Sequence, residues 1–208
     1  MAIIDSKCKL CRRAGEKLFL KGDRCLSPKC AMVRRPYAPG IHGHTPSRGG
    51  SEFGKQLAMK QKIKHLYGVM ERQFRHHFDE VKKTPGVTGD QLLSRLERRL
   101  DNVVYRLGLA SSRRMARLVV GHGHITVNGK ILNIPSYQVK KGNIIAPKEL
   151  SLKSGIFAGI EERMRGFEPP RWLSLDKSKK AGTVMADPEA DDVQTTVDIT
   201  KIKEFYSR

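Results

Sequence analysis

Residues 91–143 read QLLSRLERRLDNVVYRLGLASSRRMARLVVGHGHITVNGKILNIPSYQVKKGN. Leu92, Leu93, Leu96, Leu100, Val103, Val104 and Leu107 recur at helical spacing and form one apolar stripe. Gly108 stops that helix. Ser111 or Ser112 supplies an N-cap for a second, short helix, which turns Met115, Ala116, Val119 and Val120 inward. After Gly121 and Gly123 the period changes to two, with Ile125 and Val127 alternating with polar residues. Asn128-Gly129 is the dipeptide of a two-residue type I′ hairpin, since both central positions need positive φ. Ile131 and Ile134 begin the return strand. Tyr137, Val139, Ile144 and Ile145 follow across a turn at 140–143. Two helices and a small antiparallel β-meander therefore share one core.

The polar faces of these helices are basic. Arg95, Arg98 and Arg99 sit at i, i+3 and i+4 away from the leucines, and Arg113, Arg114 and Arg117, at i, i+1 and i+4, do likewise on the second helix. Lys130, Lys140 and Lys141 lie at or near turns. A solvated helix face mixes both signs. Here only Glu97 and Asp101 are acidic between Gln91 and Lys148, which points to a phosphate backbone as partner. Asp101 is expected to pair with an arginine of its own helix or the next.

The whole chain carries the same signal. It has 208 residues, with 40 Lys+Arg against 21 Asp+Glu and a net charge of +19. Residues 1–150 hold 30 basic and 11 acidic side chains, the whole of that excess, whereas residues 151–208 hold ten of each. A polyanion is the implied partner of the first three quarters, with nucleic acid ahead of an anionic membrane. No secretory h-region opens the sequence and no apolar run approaches a membrane span, so a cytosolic setting with reduced thiols is expected.

In that setting Cys8-x2-Cys11-x13-Cys25-x4-Cys30 reads as a metal site. Two short chelating turns each offer two thiolates, and four protein ligands close the site, which makes it structural. Zn²⁺ is the expected ion; a cysteine-ligated Fe–S cluster, disulfides and free thiols are the alternatives. Leu10, Leu18, Phe19 and Leu20 are too few to form a core without it. The following stretch, Arg34 to Pro46, carries three prolines and repeated glycine and is expected to be extended. From Ser51, Leu57, Ile63, Leu66, Tyr67, Met70, Phe74, Phe78 and Val81 make one long helical face, with a kink or close packing at Gly68. Residues 154–165 and 199–206 read as short helices, the second returning to the 51–81 unit. Residues 181–200 read as extended or turn-rich, and Trp172 as a packing anchor.

No catalytic constellation is present: there is no phosphate-binding Gly loop, no His-Glu-x-x-His and no cysteine outside the metal motif. A zinc-dependent DNA binder is disfavoured because no recognition helix or dimerisation element accompanies the cysteines. The accessory domain of an RNA-modifying enzyme is disfavoured because the catalytic domain is missing.

The motifs 99–106 (RLDNVVYR), Ala116-Arg117, His122-Gly123-His124-Ile125, Val127-Asn128-Gly129 and Ile134-Pro135-Ser136-Tyr137 resemble the RNA-binding fold named after bacterial small-subunit ribosomal protein four. The Pro-Gly-x-His-Gly run at 39–43, Lys60-Gln61-Lys62-Ile63, Tyr67-Gly68-Val69, Glu71-Arg72-Gln73-Phe74 and the aromatic-Tyr-Ser-basic ending are similar to the rest of that family, and the cysteines to its zinc-binding four-cysteine variant. Leu118 and Gly121 depart from the residues common at those positions. The resemblance implies an α+β chain. A four-cysteine metal-binding and extended basic segment occupies 1–45. A helical domain follows at 46–90, completed by 177–208, and an RNA-binding domain of two helices and a β-meander occupies 91–176.

It further implies a structural, non-enzymatic component of the small ribosomal subunit in the cytoplasm or an organellar equivalent. Such a protein binds the 5′ domain of 16S-type rRNA, nucleates assembly and contributes to translational accuracy. Its partners are that rRNA, small-subunit ribosomal protein five and mRNA near the entry channel, with no membrane and no DNA. The candidate sites are Cys8, Cys11, Cys25 and Cys30 for the metal. For rRNA they are Arg12, Arg13, Arg34, Arg35, His42 and Arg48; Lys55, Lys60, Lys62, Lys64, Arg72 and Arg75; and Arg95, Arg98, Arg99, Arg113, Arg114, Arg117, His122, Lys130 and Lys140.

Overall fold

A computed structural model of the chain describes residues 6–45, 50–85, 87–189, 192–193 and 198–207. They fall into two units, 1–89 with 195–208, and 90–194. No helix among the described residues is long and apolar enough to cross a membrane.

The first unit starts with α1 (Lys7–Ala14), stopped by Gly15 in the left-handed region, and two single turns, α2 (Asp23–Leu26) and α3 (Ala31–Arg34). Cys11, Leu18 and Leu20 are their buried centre, with Leu10 and Met32 packed against it. The stretch expected to be extended holds one 3-10 turn, Ile41–His44. The apolar stripe from Ser51 onward resolves into two helices, α4 (Glu52–Tyr67) and α5 (Glu71–Lys82). Ser51 Oγ caps the first by accepting the Gly54 N–H at 3.2 Å. Gly68 does not kink a continuous helix; it ends one. At φ 63° it occupies the left-handed position of a helix C-cap, and the Val69 N–H returns to the Lys64 carbonyl.

The short helix expected at the C-terminus is α11 (Ile199–Tyr206), which lies against α4. Its Phe205 stacks on Phe53 and its Tyr206 on Phe78. Tyr206 Oη donates to Glu71 Oε1 at 2.9 Å, and Gln56 Nε2 to Glu204 Oε2 at 2.8 Å. Burial works against ionisation of Glu71, but hydrogen bonds from Lys60, Lys64 and Tyr206 outweigh it and hold the carboxyl at about 2, against an ordinary 4.5. A depressed folded pKa contributes stability that is complete above the unfolded value and fades as the pH falls toward the folded one. The first unit is therefore expected to lose stability between about pH 4.5 and 2. Glu71→Gln should flatten that acid limb in circular-dichroism titrations; an identical limb in the variant would locate the acid sensitivity elsewhere.

The second unit departs from its reading at two places. The first is the long helix. It is two helices, α6 (Thr88–Glu97) and α7 (Leu100–Arg106), with Arg99 extended between them at φ −66°, ψ 135°. The cause is a competing partner for the backbone. The Leu100 N–H donates to the Tyr137 carbonyl at 2.8 Å and the Asp101 N–H to the Pro135 carbonyl at 3.1 Å, while the Arg98 carbonyl accepts the Val139 N–H at 2.9 Å. Arg99 and Gln138 thus make an isolated antiparallel bridge. Then α8 (Arg113–Gly121) follows, capped by Ser112, whose Oγ accepts the Met115 N–H at 3.2 Å.

The second departure is the sheet. Strands β1 (Ile125–Val127) and β2 (Lys130–Ile131) form the hairpin, with Asn128 at φ 51° and Gly129 at φ 78° as the type I′ turn requires. Strand β3 (Ile144–Pro147) pairs antiparallel with β1. After α9 (Glu149–Leu152), a 3-10 turn and α10 (Ile160–Arg165) come β4 (Leu173–Asp176) and β5 (Ala181–Val184). These extend the meander to five antiparallel strands in the order β2-β1-β3-β5-β4. Residues 181–184 therefore belong to this sheet rather than to the helical unit. A Cβ on Gly182 would overlap the Leu107 side chain, which is fully buried, so the strand approaches α7 only because position 182 has no side chain. Leu100, Val103, Val104, Leu107, Val119, Ile125, Ile145 and Trp172 share one core, with Trp172 buried as a packing anchor.

Candidate nucleic-acid interface

The break between α6 and α7 turns one arginine of the first basic triplet inward. Arg99 is 1% exposed, and its Nε and Nη2 donate to the two oxygens of Asp101 at 3.1 and 2.9 Å. A guanidinium forked onto a buried carboxylate is a structural group. Arg99 is therefore withdrawn from the phosphate contacts. Arg98 is half-buried and lies 3.3 Å from Asp187; Arg95 is half-buried on α6. Asp101 pairs within its own helix region and with the next helix, as expected: Arg117 Nη1 lies 3.8 Å from its Oδ2.

A second carboxylate sits beside it. Glu97, 1% exposed, accepts Arg106 Nε and Nη2 at 2.9 and 2.8 Å and Asn102 Nδ2 at 2.7 Å. Asn102 Oδ1 in turn accepts Arg113 Nε at 2.7 Å. The sequence reading passed over Glu97, Asn102 and Arg106 as site residues. Its own signal pointed to them: two lone carboxylates in a stretch of arginines are matched to particular arginines, not to solvent. From this buried frame Arg113 and Arg117 lead outward, both half-buried, while Arg114 is exposed on α8. His122, Lys130 and Lys140 are exposed at the helix end, the hairpin and the next turn.

In the first unit the candidates divide the same way. Arg12 is a strap: its Nε and Nη2 donate to the carbonyls of Tyr37 and Ala38 at 2.8 and 3.1 Å, and it stacks on the Tyr37 ring. It holds the segment after the cysteines to α1. Lys60 is 5% exposed, 2.6 Å from Glu71 and over the Phe205 ring, so it too is an interior group. Lys62 pairs with Glu16 at 2.7 Å, Lys64 with Glu71 at 3.0 Å and Lys55 with Glu52 at 3.4 Å. Arg13, Arg34, Arg35, His42, Arg72 and Arg75 are exposed. Arg48 lies outside the described residues.

The four cysteines are free thiols, three of them buried. Burial, opposed by a backbone hydrogen bond from Leu18, pushes the Cys11 thiol up, and the neighbouring Cys25, Cys8 and Cys30 add to the rise. The Lys21 N–H donates to Cys25 Sγ at 3.3 Å. Among the described residues no three His, Cys, Asp or Glu side chains are gathered closely enough to hold a metal ion.

The geometry thus offers exposed cations on helices and turns, with a second tier of arginines fixed by buried carboxylates. Comparison with known proteins supplies the context. Residues 3–97 match the family model described as the ribosomal protein S4/S9 N-terminal domain, and residues 98–145 match the S4 domain. The small ribosomal subunit protein uS4 of Halothermothrix orenii is 53% identical over 201 residues, covering 97% of this chain and 96% of its own. The chain belongs to the uS4 family. The uS4 proteins of Syntrophomonas wolfei, 51% identical with 98% of each chain covered, and of Thermus thermophilus, 50% identical with 97% of this chain and 96% of its own covered, agree. The junction between the two family models, at 97 and 98, coincides with the break that separates α6 from α7 in this uS4 chain.

Proposed function

We propose that this protein is a structural, non-catalytic component of the small ribosomal subunit and works by binding rRNA in the cytoplasm. What carries the reading is the arrangement of the basic excess. All of it lies in residues 1–150, on a chain whose relatives are small-subunit proteins along their full length. Exposed Arg114, Lys130 and Lys140, together with half-buried Arg113 and Arg117, suit the phosphates of a folded RNA. Side chains cannot enter the deep, narrow major groove of A-form RNA, so recognition is by shape across helices.

In its finer form the proposal names the 5′ domain of 16S-type rRNA as the primary site, with a role in nucleating assembly and in accuracy. Small-subunit ribosomal protein five and mRNA near the entry channel are the further partners. The RNA-binding role is assigned to the domain that begins at 91, the helical role to 46–90, and the metal role to 1–45. Arg13, Arg34, Arg35, His42, Arg72 and Arg75 are the exposed contacts of the first part. Cys8, Cys11, Cys25 and Cys30 are the ligands of a structural Zn²⁺, an Fe–S cluster being the alternative. The chemistry of the donors suits such a group, four thiols with the backbone N–H of Lys21 aimed at one sulfur and that of Leu18 at another, and binding requires the four sulfurs to draw closer together than they stand here. When bound, the ion would cross-link α1 to the turns that follow.

Footprinting of the purified protein on naked small-subunit rRNA tests the reading. Protection confined to a 5′-domain junction is expected, weakening with salt by roughly 0.7–0.9 log units per phosphate contact per log unit of salt. Diffuse protection removed equally well by DNA would leave a basic protein without the rRNA specificity proposed.

A further inference from the structure

Glu97, Asn102 and Arg113 form a hydrogen-bonded chain that runs from the interior to the surface. Asn102 Nδ2 donates both to the Glu97 carbonyl at 2.9 Å and to its Oε2 at 2.7 Å. Two acceptors on one side fix the amide, and its oxygen therefore faces the other way, where it takes Arg113 Nε at 2.7 Å. The Tyr105 ring covers one face of the same guanidinium, 4.7 Å from Cζ to the centroid. Glu97 Oε1 stands 3.9 Å from its Nη2. Asn102 itself is 1% exposed and touches nothing outside the protein.

We propose that Asn102, oriented by Glu97, is a positioning residue for RNA selection: it fixes the Arg113 guanidinium so that only an RNA with phosphates at the matching place is rewarded. The inference rests on the rRNA-binding reading above. A mobile arginine lends affinity to any polyanion, whereas a held one pays its ordering cost in advance and discriminates by geometry. The anchored Nε edge and stacked face leave the orientation of the guanidinium plane set by the protein. Lysine has the same charge but neither feature.

The test compares binding of the full-length protein to a 5′-domain junction RNA and to an unrelated RNA duplex of equal length, across a salt series. Arg113→Lys should keep the salt slope, because the charge is unchanged, yet reduce the preference for the junction by about twofold to tenfold, the cost of ordering one long side chain. Asn102→Ala should do the same, and the two changes together should lose no more than Arg113→Lys alone, because both remove one device. A role confined to stability would weaken both RNAs equally and leave their ratio intact. If the wild type prefers the junction and Arg113→Lys keeps that preference, the positioning inference fails while the rRNA reading stands. Additive losses would overturn it likewise. A wild type without any preference would take the rRNA reading down as well. Should Asn102→Ala not fold, Arg113→Lys decides alone.

Discussion

Asp101→Ala is expected to cost about 3–5 kcal/mol, the penalty for leaving one partner of a buried ion pair uncompensated. Few side chains in the second unit are placed so critically. Asp101 accepts both Nε and Nη2 of Arg99, and its Oδ1 also accepts the Asn102 N–H at 2.9 Å. Removing it strands a guanidinium that is 1% exposed in the bend between α6 and α7. Typical domains are stable by only about 5–15 kcal/mol, so the variant should be close to unfolding at ambient temperature. Replacing both partners, Arg99→Met with Asp101→Leu, should cost clearly less than Asp101→Ala alone, since neither charge of this pair is then left buried without its partner. Urea denaturation followed by the fluorescence of Trp172, the single tryptophan and a buried member of this core, reports on the correct unit. A loss below about 1 kcal/mol for Asp101→Ala would mean that the bend reorganises to bring Arg99 to solvent.

The same bend marks the boundary of what the sequence made legible. Features determined by neighbours in the chain were readable: the Ser112 cap, the Asn128-Gly129 turn, the apolar stripes and the C-terminal helix all follow from local rules. The helix break at Arg99 was not, because its cause lies 36–40 residues away in the carbonyls and N–H groups of Pro135 to Val139. Helical periodicity runs straight through it, since Leu96 and Leu100 remain on the core side in either case. Charge patterning alone does not separate the roles of Arg99, Lys60 and Arg12, for one reason. A basic residue looks the same in a sequence whether it meets a phosphate, a buried carboxylate or a backbone carbonyl, and only the geometry separates those partners. The strand at 173–176 was missed, and 181–184 was read as extended without its place in the sheet, because each is four residues long and the second pairs through Gly182, where a side chain would normally signal a strand.

Removing the zinc proposed for the cysteine segment should disorder residues 6–35 while leaving the Trp172-reported transition of the second unit unchanged. The expectation follows from how little else holds that segment. Among the described residues its buried apolar cluster is Cys11, Leu18 and Leu20, with Leu10 and Met32 against them. Stretches below about 40 residues usually need a metal, disulfides or association to stay folded, and structural Zn²⁺ supplies apparent binding energies of about 10–16 kcal/mol in small peptides. Arg12 ties α1 to the Tyr37 and Ala38 carbonyls and Glu16 pairs with Lys62 at 2.7 Å, and hydrogen bonds to charged groups contribute only about 1.5–3 kcal/mol each. Mass spectrometry under native conditions should find one zinc per chain in the wild type and none in Cys25→Ser, and hydrogen exchange at 6–35 should rise together with that loss. Visible absorbance with iron instead of zinc would point to the Fe–S alternative. A metal-free wild type that still protects these amides would overturn the metal site and leave the Arg12 strap and the Cys11–Leu18–Leu20 contact as the forces ordering the segment. Cys11→Ser would then act through lost packing, and adding zinc to the wild type would change nothing.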